Sequence, residues 1–468
     1  MDFLDRQDEL ARLDGLDGPG LAVVWGRRRV GKTRLLVEWS RRRGGLYTVA
    51  DQSAEAIQRR YLAEAVAARL PGFDEVEYPD WRALLRALAR RAGQEAPLGP
   101  LILDEVPYLV ASSPSLPSVL QSWVDHEAKQ AGLLLVLAGS SQRMMQGLVL
   151  DAAAPLYGRA RETFLLRPLR AGWTKEGMHL RKAVDCVRAF SVWGGVPWYW
   201  ELAARFGSDL DRAVDELVLD PMGPLHSEPD RLLLEELPSA SALRPLLDAI
   251  GAGAHRLSEI AGRIGQPATS LSRPLLRLVD LGLVRREQPF GDHERTGKRA
   301  LYRIDDPFFR FWFRVVAAHR GLLTVSPPRV RRELWRRHAP HLFAQTWEEL
   351  ARQAVPLLGR KQLGGRGPFL PAARYWRGGQ REWDLVAAST DGETLLLGEA
   401  KWHEGPADEP FLERTFRGLL DKGLPEIPQP TGRAVAHVLF VPECPTHLKR
   451  RKAPYVVLDA ADVLAVLR

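Results

Sequence analysis

Eight residues, Gly26-Arg-Arg-Arg-Val-Gly31-Lys32-Thr33, constrain the fold of this chain more than any other stretch. They match the pattern GxxxxGK(S/T). They stand between an apolar run, Leu21 to Trp25, and a segment from Thr33 to Arg43 patterned as a helix. Strand, glycine-rich turn and helix in that order predict a phosphate cradle. The glycines let backbone N–H groups converge on phosphate oxygens, and the helix N-terminus adds about half a positive charge. Gly26, Arg27, Arg28, Arg29, Val30 and Gly31 are expected to line the phosphates. Lys32 would reach the β- and γ-phosphates, and the Thr33 hydroxyl would bind Mg²⁺.

Such a loop needs a second carboxylate for the metal. Leu101-Ile-Leu-Asp104-Glu105 offers one at the end of an apolar strand. Asp104 is expected to hold Mg²⁺ through water, and Glu105, the candidate catalytic residue, to orient or activate the attacking water. The next apolar run, Leu133 to Ala138, leads into Ser140, which reads as a γ-phosphate sensor or as a plain turn residue. Arg159 reads equally as a γ-phosphate contact or as a surface arginine. Uninterrupted apolar strands between helices predict a parallel sheet covered on both faces.

Composition excludes several classes. The 468 residues suggest roughly three domains at about 150 residues each. With 45% hydrophobic and 26% charged residues, the chain is built to fold rather than to stay disordered. Cys186 and Cys444 lie far apart with no Cys/His cluster, so neither a disulfide framework nor a zinc site is supported. The acidic start lacks a signal-peptide layout, and no apolar run approaches the ~20 residues that span a bilayer. A cytoplasmic protein with no membrane partner is expected.

Several segments occur in an order that resembles a known family: Phe3-Leu-Asp-Arg6-Gln-Asp-Glu9-Leu10, the glycine-rich loop, Leu103-Asp-Glu105, Gly139-Ser-Ser141, Leu156-Tyr-Gly-Arg159 and Gly194-Gly-Val-Pro197. Together they look like the prokaryotic archaeal-type P-loop ATPases, near the AAA+ and STAND groups. The resemblance implies ATP as the nucleotide, ATP hydrolysis, and a place beside the nucleotide for Arg6 and Glu9.

Leu257 to Ile264 and Thr269 to Leu281 read as two helices, followed by apolar-alternating stretches near Leu283 to Arg286 and Ala300 to Ile304. Helix–turn–helix plus hairpin is a winged-helix pattern, whose second helix usually enters the major groove. The whole chain carries a net charge of +8, yet residues 241–340 hold 19 Lys+Arg against 9 Asp+Glu, an excess of +10. Arg273, Arg277, Arg285, Arg286, Arg295, Lys298 and Arg299 are the expected nucleic-acid contacts, and duplex DNA the expected partner. Packing of this segment against the ATPase or another protein is the competing reading.

Near the end, Glu382-Trp-Asp384-Leu-Val is followed by an Asp-Gly turn and then Leu397-Gly-Glu399-Ala-Lys401. Period-two spacing puts Glu399 and Lys401 on one face of a strand, with Asp384 able to lie opposite. This resembles the PD-(D/E)XK nuclease fold. The resemblance makes Asp384 and Glu399 ligands for Mg²⁺ or Mn²⁺, Lys401 the group that orients or activates water, and Glu348 the helix acid. Because the same fold also serves non-cutting binders, cleavage stays open.

The expected architecture is thus multidomain α/β. It comprises a P-loop core (1–165), a helical lid (166–240), a winged helix (241–305), a helical linker (306–335) and a nuclease-like α/β domain (336–468). The expected function is ATP-driven DNA processing with a metal-dependent nuclease domain. A nucleotide-switched DNA-binding regulator or a signalling ATPase with a non-cutting domain are the alternatives, and a homo-oligomer is compatible with each.

Overall fold

The computed structural model describes residues 3–94, 98–152, 154–236, 240–292, 299–427, 434–449 and 453–468. The chain divides into two compact units, residues 3–168 with 196–198, and residues 169–195 with 199–468. Among the described residues, no helix is long and apolar enough to cross a membrane.

The first unit is built on five parallel strands: β1 (Gly20–Trp25), β2 (Leu46–Val49), β3 (Leu101–Asp104), β4 (Leu134–Gly139) and β5 (Ala160–Leu165). Their order across the sheet is β2-β3-β4-β1-β5. Alternate residues fill two separate cores. Leu21, Val23, Leu101, Leu103, Leu135 and Leu137 pack on one face with residues of the helices Glu55–Ala67, Trp81–Ala92 and Leu116–Asp125. Ala22, Val24, Ile102, Val136 and Ala138 pack on the other with the helices Gln7–Asp14 and Lys32–Arg43. Burial on both faces is why these strands read as unbroken apolar runs. Parallel pairing also brings the carboxyl ends of β1, β3 and β4 to one edge, where open α/β sheets bind ligands.

The second unit begins helically. Gly195 explains a break in the sequence after the helix Ala183–Trp193, because a Cβ there would lie 1.8 Å from the Leu169 carbonyl oxygen. Two helices, Leu257–Ile264 and Ala268–Asp280, precede an antiparallel ribbon of β6 (Val284–Glu287) and β7 (Leu301–Ile304). Phe308, Phe309, Phe311, Trp312 and Phe313 then form an aromatic core. The helix Pro328–Ala354 follows, with Pro328 in its first turn, where the missing N–H costs nothing. A domain boundary at 335 therefore falls inside a continuous helix.

That helix leads to a five-stranded sheet of β8 (Ala373–Tyr375), β9 (Trp383–Ala388), β10 (Thr394–Ala400), β11 (Ala434–Phe440) and β12 (Val456–Leu458). The strands run in simple sequence order. β8, β9 and β10 pair antiparallel, whereas β10, β11 and β12 pair parallel. The β9–β10 turn is closed by Ser389 donating to the Asp391 carboxylate, with Gly392 at φ 76°.

His255 joins the helix pair to the ribbon. Its Nδ1–H donates to the Tyr302 carbonyl at 3.1 Å, and the Tyr302 amide donates to the His255 carbonyl at 2.8 Å. Burial, with the Arg303 charge second, pushes the imidazole from 6.5 down to about 4. Between those values the unfolded chain takes up a proton that the folded chain refuses, so stability falls as pH drops from 6.5 to about 4. His255→Asn keeps a donor without the titration and is expected to flatten this part of the pH profile of the urea midpoint. An unchanged profile would exclude His255 as its source.

Candidate functional site

The β1–helix turn depends on its two glycines. A Cβ on Gly26 would sit 2.5 Å from the Leu166 carbonyl oxygen, and Gly31 has φ 97°, which β-carbon sterics disfavour. Gly31 also stands at the N-terminus of the helix Lys32–Arg43, whose dipole favours negative charge there. Lys32 is buried, and its ammonium donates to the carbonyls of Gly26 (2.7 Å) and Arg27 (3.1 Å). Arg6 braces the loop from behind, donating to the Val30 carbonyl at 2.8 Å and pairing with Glu9 at 2.9 Å. Arg28 donates to the Tyr108 hydroxyl at 2.6 Å, and the Arg29 guanidinium lies 3.6 Å from the centre of the Trp198 ring.

The acids at the end of β3 meet this loop. Asp104 is fully buried and accepts from the Thr33 hydroxyl at 2.7 Å, the Tyr47 hydroxyl at 2.8 Å and the Glu105 amide at 2.9 Å. Burial and the Asp104 charge push the Tyr47 phenol up, so it remains a donor. Thr33 and Asp104 together make a pair of hard oxygens that suits Mg²⁺. Glu105, at φ 53°, turns its carboxylate to the amide (3.2 Å) and hydroxyl (2.8 Å) of Ser140. Ser140 is therefore at the site, with its hydroxyl engaged by Glu105. Arg159 is held elsewhere: its Nε lies 2.9 and 3.0 Å from the two oxygens of Asp125, which ties it to a carboxylate.

In the second unit, β9 and β10 bring Asp384, Glu399 and Lys401 together. The Ala400 amide donates to Asp384 at 3.1 Å, and the Lys401 ammonium is 2.6 Å from Glu399 and 3.8 Å from Asp384. Burial alone would lower the Lys401 ammonium, but the Asp384 and Glu399 charges override it and raise it. Glu348 faces the same acids from the helix Pro328–Ala354. Burial and then the Asp384 charge push its carboxyl up to about 7. One participant escaped the sequence reading: Lys422, beyond the helix Glu409–Leu420, lies 2.5 Å from the other Glu399 oxygen. No motif spacing pointed to it.

Among the described residues, no group of three or more His, Cys, Asp or Glu side chains is gathered closely enough to hold a metal ion. The expected set of Glu348, Asp384 and Glu399 is not assembled as a three-carboxylate cage. Lys401 and Lys422 each take one oxygen of Glu399, while Arg352 lies 3.7 Å from Glu348. Asp384 and Glu399 remain a two-carboxylate donor set of the right chemistry for Mg²⁺ or Mn²⁺.

Residues 3–202 match the family model of an ATPase domain predominantly from Archaea. The N-terminal part of the chain is an archaeal-type ATPase domain. Residues 312–414 match a model of archaeal and bacterial proteins of unknown function. An uncharacterized protein of Methanocaldococcus jannaschii is 27% identical over 429 residues, covering 90% of this chain and 91% of the relative. Among solved structures, a Walker-type ATPase of Pyrococcus abyssi superposes with a TM-score of 0.53 at 20% identity. That match covers 67% of this chain and 97% of the other. The ORC2 protein of Aeropyrum pernix, solved in ADPNP and ADP complexes, gives 0.42 at 14% identity over 69% and 94%. The match of residues 3–202 to the ATPase model supports an ATP-binding ATPase.

The expected nucleic-acid contacts separate on inspection. Arg273 is exposed on the helix Ala268–Asp280, and Arg277 and Arg286 are half-buried. Arg299 pairs with Asp292 at 2.7 Å. Arg295 and Lys298 lie outside the described residues. Arg285 corrects the sequence reading: it points inward to Glu349, Glu287 and Asp305 rather than outward to a phosphate. The reason is packing, since the ribbon runs beside β8, with the Phe290 amide donating to the Arg374 carbonyl at 2.7 Å.

Glu349 also accepts from both arms of Arg310 at 2.7 Å. Burial alone would raise the Glu349 carboxyl, but Arg285 and Arg310 override it and hold it far below the usual range. Glu349→Gln should lower unfolding free energy by about 3–5 kcal/mol, the penalty for breaking a buried pair from one side. Urea unfolding at neutral pH measures this, and a variant as stable as wild type would show that the cluster is energetically idle.

Proposed function

We propose that this chain is an ATP-hydrolysing, DNA-binding protein whose C-terminal sheet domain is nuclease-like. The observation that carries the ATPase part is the meeting of Thr33 with Asp104 at 2.7 Å beside the buried Lys32. In this reading the backbone amides from Gly26 to Gly31 and the Lys32 ammonium hold the phosphates. Thr33 and Asp104 would hold Mg²⁺, which when bound neutralises charge on the transferring phosphoryl group. Glu105 orients the attacking water, and Ser140 sets the direction of the Glu105 carboxylate. Arg6 fixes the loop through the Val30 carbonyl, a role that stiffens the cradle without touching phosphate.

DNA binding is supported by the helix Ala268–Asp280. It buries Leu271, Leu275 and Leu278 and leaves Thr269, Ser270, Ser272 and Arg273 exposed, short polar groups and a cation suited to a phosphate-lined groove. A winged helix is the reading that unites this helix with its neighbour and the β6–β7 ribbon. For the sheet domain, Asp384, Glu399 and Lys401 across β9 and β10 support nuclease chemistry. One observation favours a non-cutting binder instead: Lys401 and Lys422 together neutralise both oxygens of Glu399.

Two experiments separate these readings. Lys32→Ala should reduce ATP hydrolysis by about 10²-fold or more, since it removes a preorganised cation from the phosphates. Undiminished turnover would refute the assignment. A plasmid and a short duplex, each with Mg²⁺ or Mn²⁺ and with or without ATP, test the rest. Nuclease chemistry predicts products that disappear in Asp384→Ala. Identical products from both proteins would leave the non-cutting reading, and failure to bind either DNA would remove DNA from the proposal.

A further inference from the structure

Tyr47 lies outside every motif discussed above, yet it contacts the most buried acid of the ATPase domain. It stands on β2, in register with Ile102 of β3, and so shares a sheet face with Asp104, two residues further along. Its ring packs into the core that also holds Leu35, Leu36 and Trp39 of the helix Lys32–Arg43. The ring is partly buried against this core, and its hydroxyl lies 2.8 Å from Asp104 Oδ2. The Thr33 hydroxyl donates to the same oxygen at 2.7 Å, and the Glu105 amide holds Oδ1 at 2.9 Å.

We infer that Tyr47 is a positioning residue for Asp104 and sets the Mg²⁺ requirement of the ATPase domain. A buried carboxylate must keep its donors, and the three named donors differ in what else they are needed for. The Thr33 hydroxyl is the one that a bound Mg²⁺ would draw away. The Glu105 amide belongs to the strand–helix turn and fixes only Oδ1. Tyr47 keeps Oδ2 oriented while Thr33 is engaged elsewhere, so Asp104 need not reorganise when the cation arrives. The inference rests on Thr33 and Asp104 being the Mg²⁺ side chains. It adds a residue from β2, which the phosphate loop and the β3 acids do not include.

The test uses the full chain and a fluorescent ADP analogue titrated at graded Mg²⁺, alongside ATP hydrolysis over the same Mg²⁺ series. Tyr47→Phe keeps the ring in its core and removes only the hydroxyl. It should leave Mg²⁺-free nucleotide affinity, measured in EDTA, at the wild-type value. The Mg²⁺ midpoint should rise about tenfold in both assays, the scale expected for losing one hydrogen bond to a charged group. An unshifted midpoint overturns the inference. So does an equal loss of affinity in EDTA, which would mark a structural role. Asp104→Asn is the control: if it shifts the midpoint and Tyr47→Phe does not, only Tyr47 is misassigned. If Asp104→Asn also leaves the midpoint unmoved, Asp104 is not the metal carboxylate and the role of Tyr47 falls with it.

Discussion

The ATPase domain is organised around one buried charge. Asp104 has no solvent exposure, and an ionised carboxylate in that position survives only with donors on both oxygens. Those donors come from three different elements: the helix after β1, the strand β2 and the turn after β3. They can converge only because all strands run parallel and end at one edge, and because β2 lies directly beside β3. The sheet order is therefore part of the site's chemistry. A permuted order would leave Asp104 without Tyr47 and the phosphate loop without its acid.

The second unit uses charge differently, through neighbouring residues of one helix. Glu348 and Glu349 are adjacent, so their side chains leave the helix about 100° apart and face different surroundings. Glu349 clamps Arg310 and Arg285, and so holds the β6–β7 ribbon. Glu348 faces Asp384 and Arg352 beside the β9–β10 acids. One turn of helix thus both fixes the ribbon and faces the acids of β9 and β10. Aromatic packing secures that turn, since Trp347 donates to the Phe440 carbonyl of β11 at 3.2 Å.

How much of this could be read from residues alone depended on the range of the interaction. The phosphate loop, the β3 acids and the β9–β10 hairpin were legible because period-two strands and glycine turns are local rules. Parallel pairing was legible as well, since strands buried on both faces lose their alternation. Tyr47 and Lys422 were not legible. Each meets its acid through tertiary packing, Tyr47 standing 57 positions from Asp104 and Lys422 23 positions from Glu399. The partner of Arg159 was not legible for the same reason, Asp125 lying 34 positions away. No local pattern distinguishes a cation aimed at phosphate from one paired with a distant carboxylate.

Charge counted along the sequence misleads in a related way. The excess of +10 over residues 241–340 suggests a basic face, but many of its arginines are met by acids from outside that window. Arg331 pairs with Asp215 and Asp220, Arg336 with Asp211, and both Arg244 and Arg320 with Asp230. Arg285 and Arg310 share Glu349. The window is basic as a stretch of chain and much less so as a region of space. An argument for nucleic-acid binding from net charge therefore has to be replaced by one from exposure. Among the described residues, the helix Ala268–Asp280 exposes Arg273 beside Thr269, Ser270 and Ser272, while its opposite side is committed to the core.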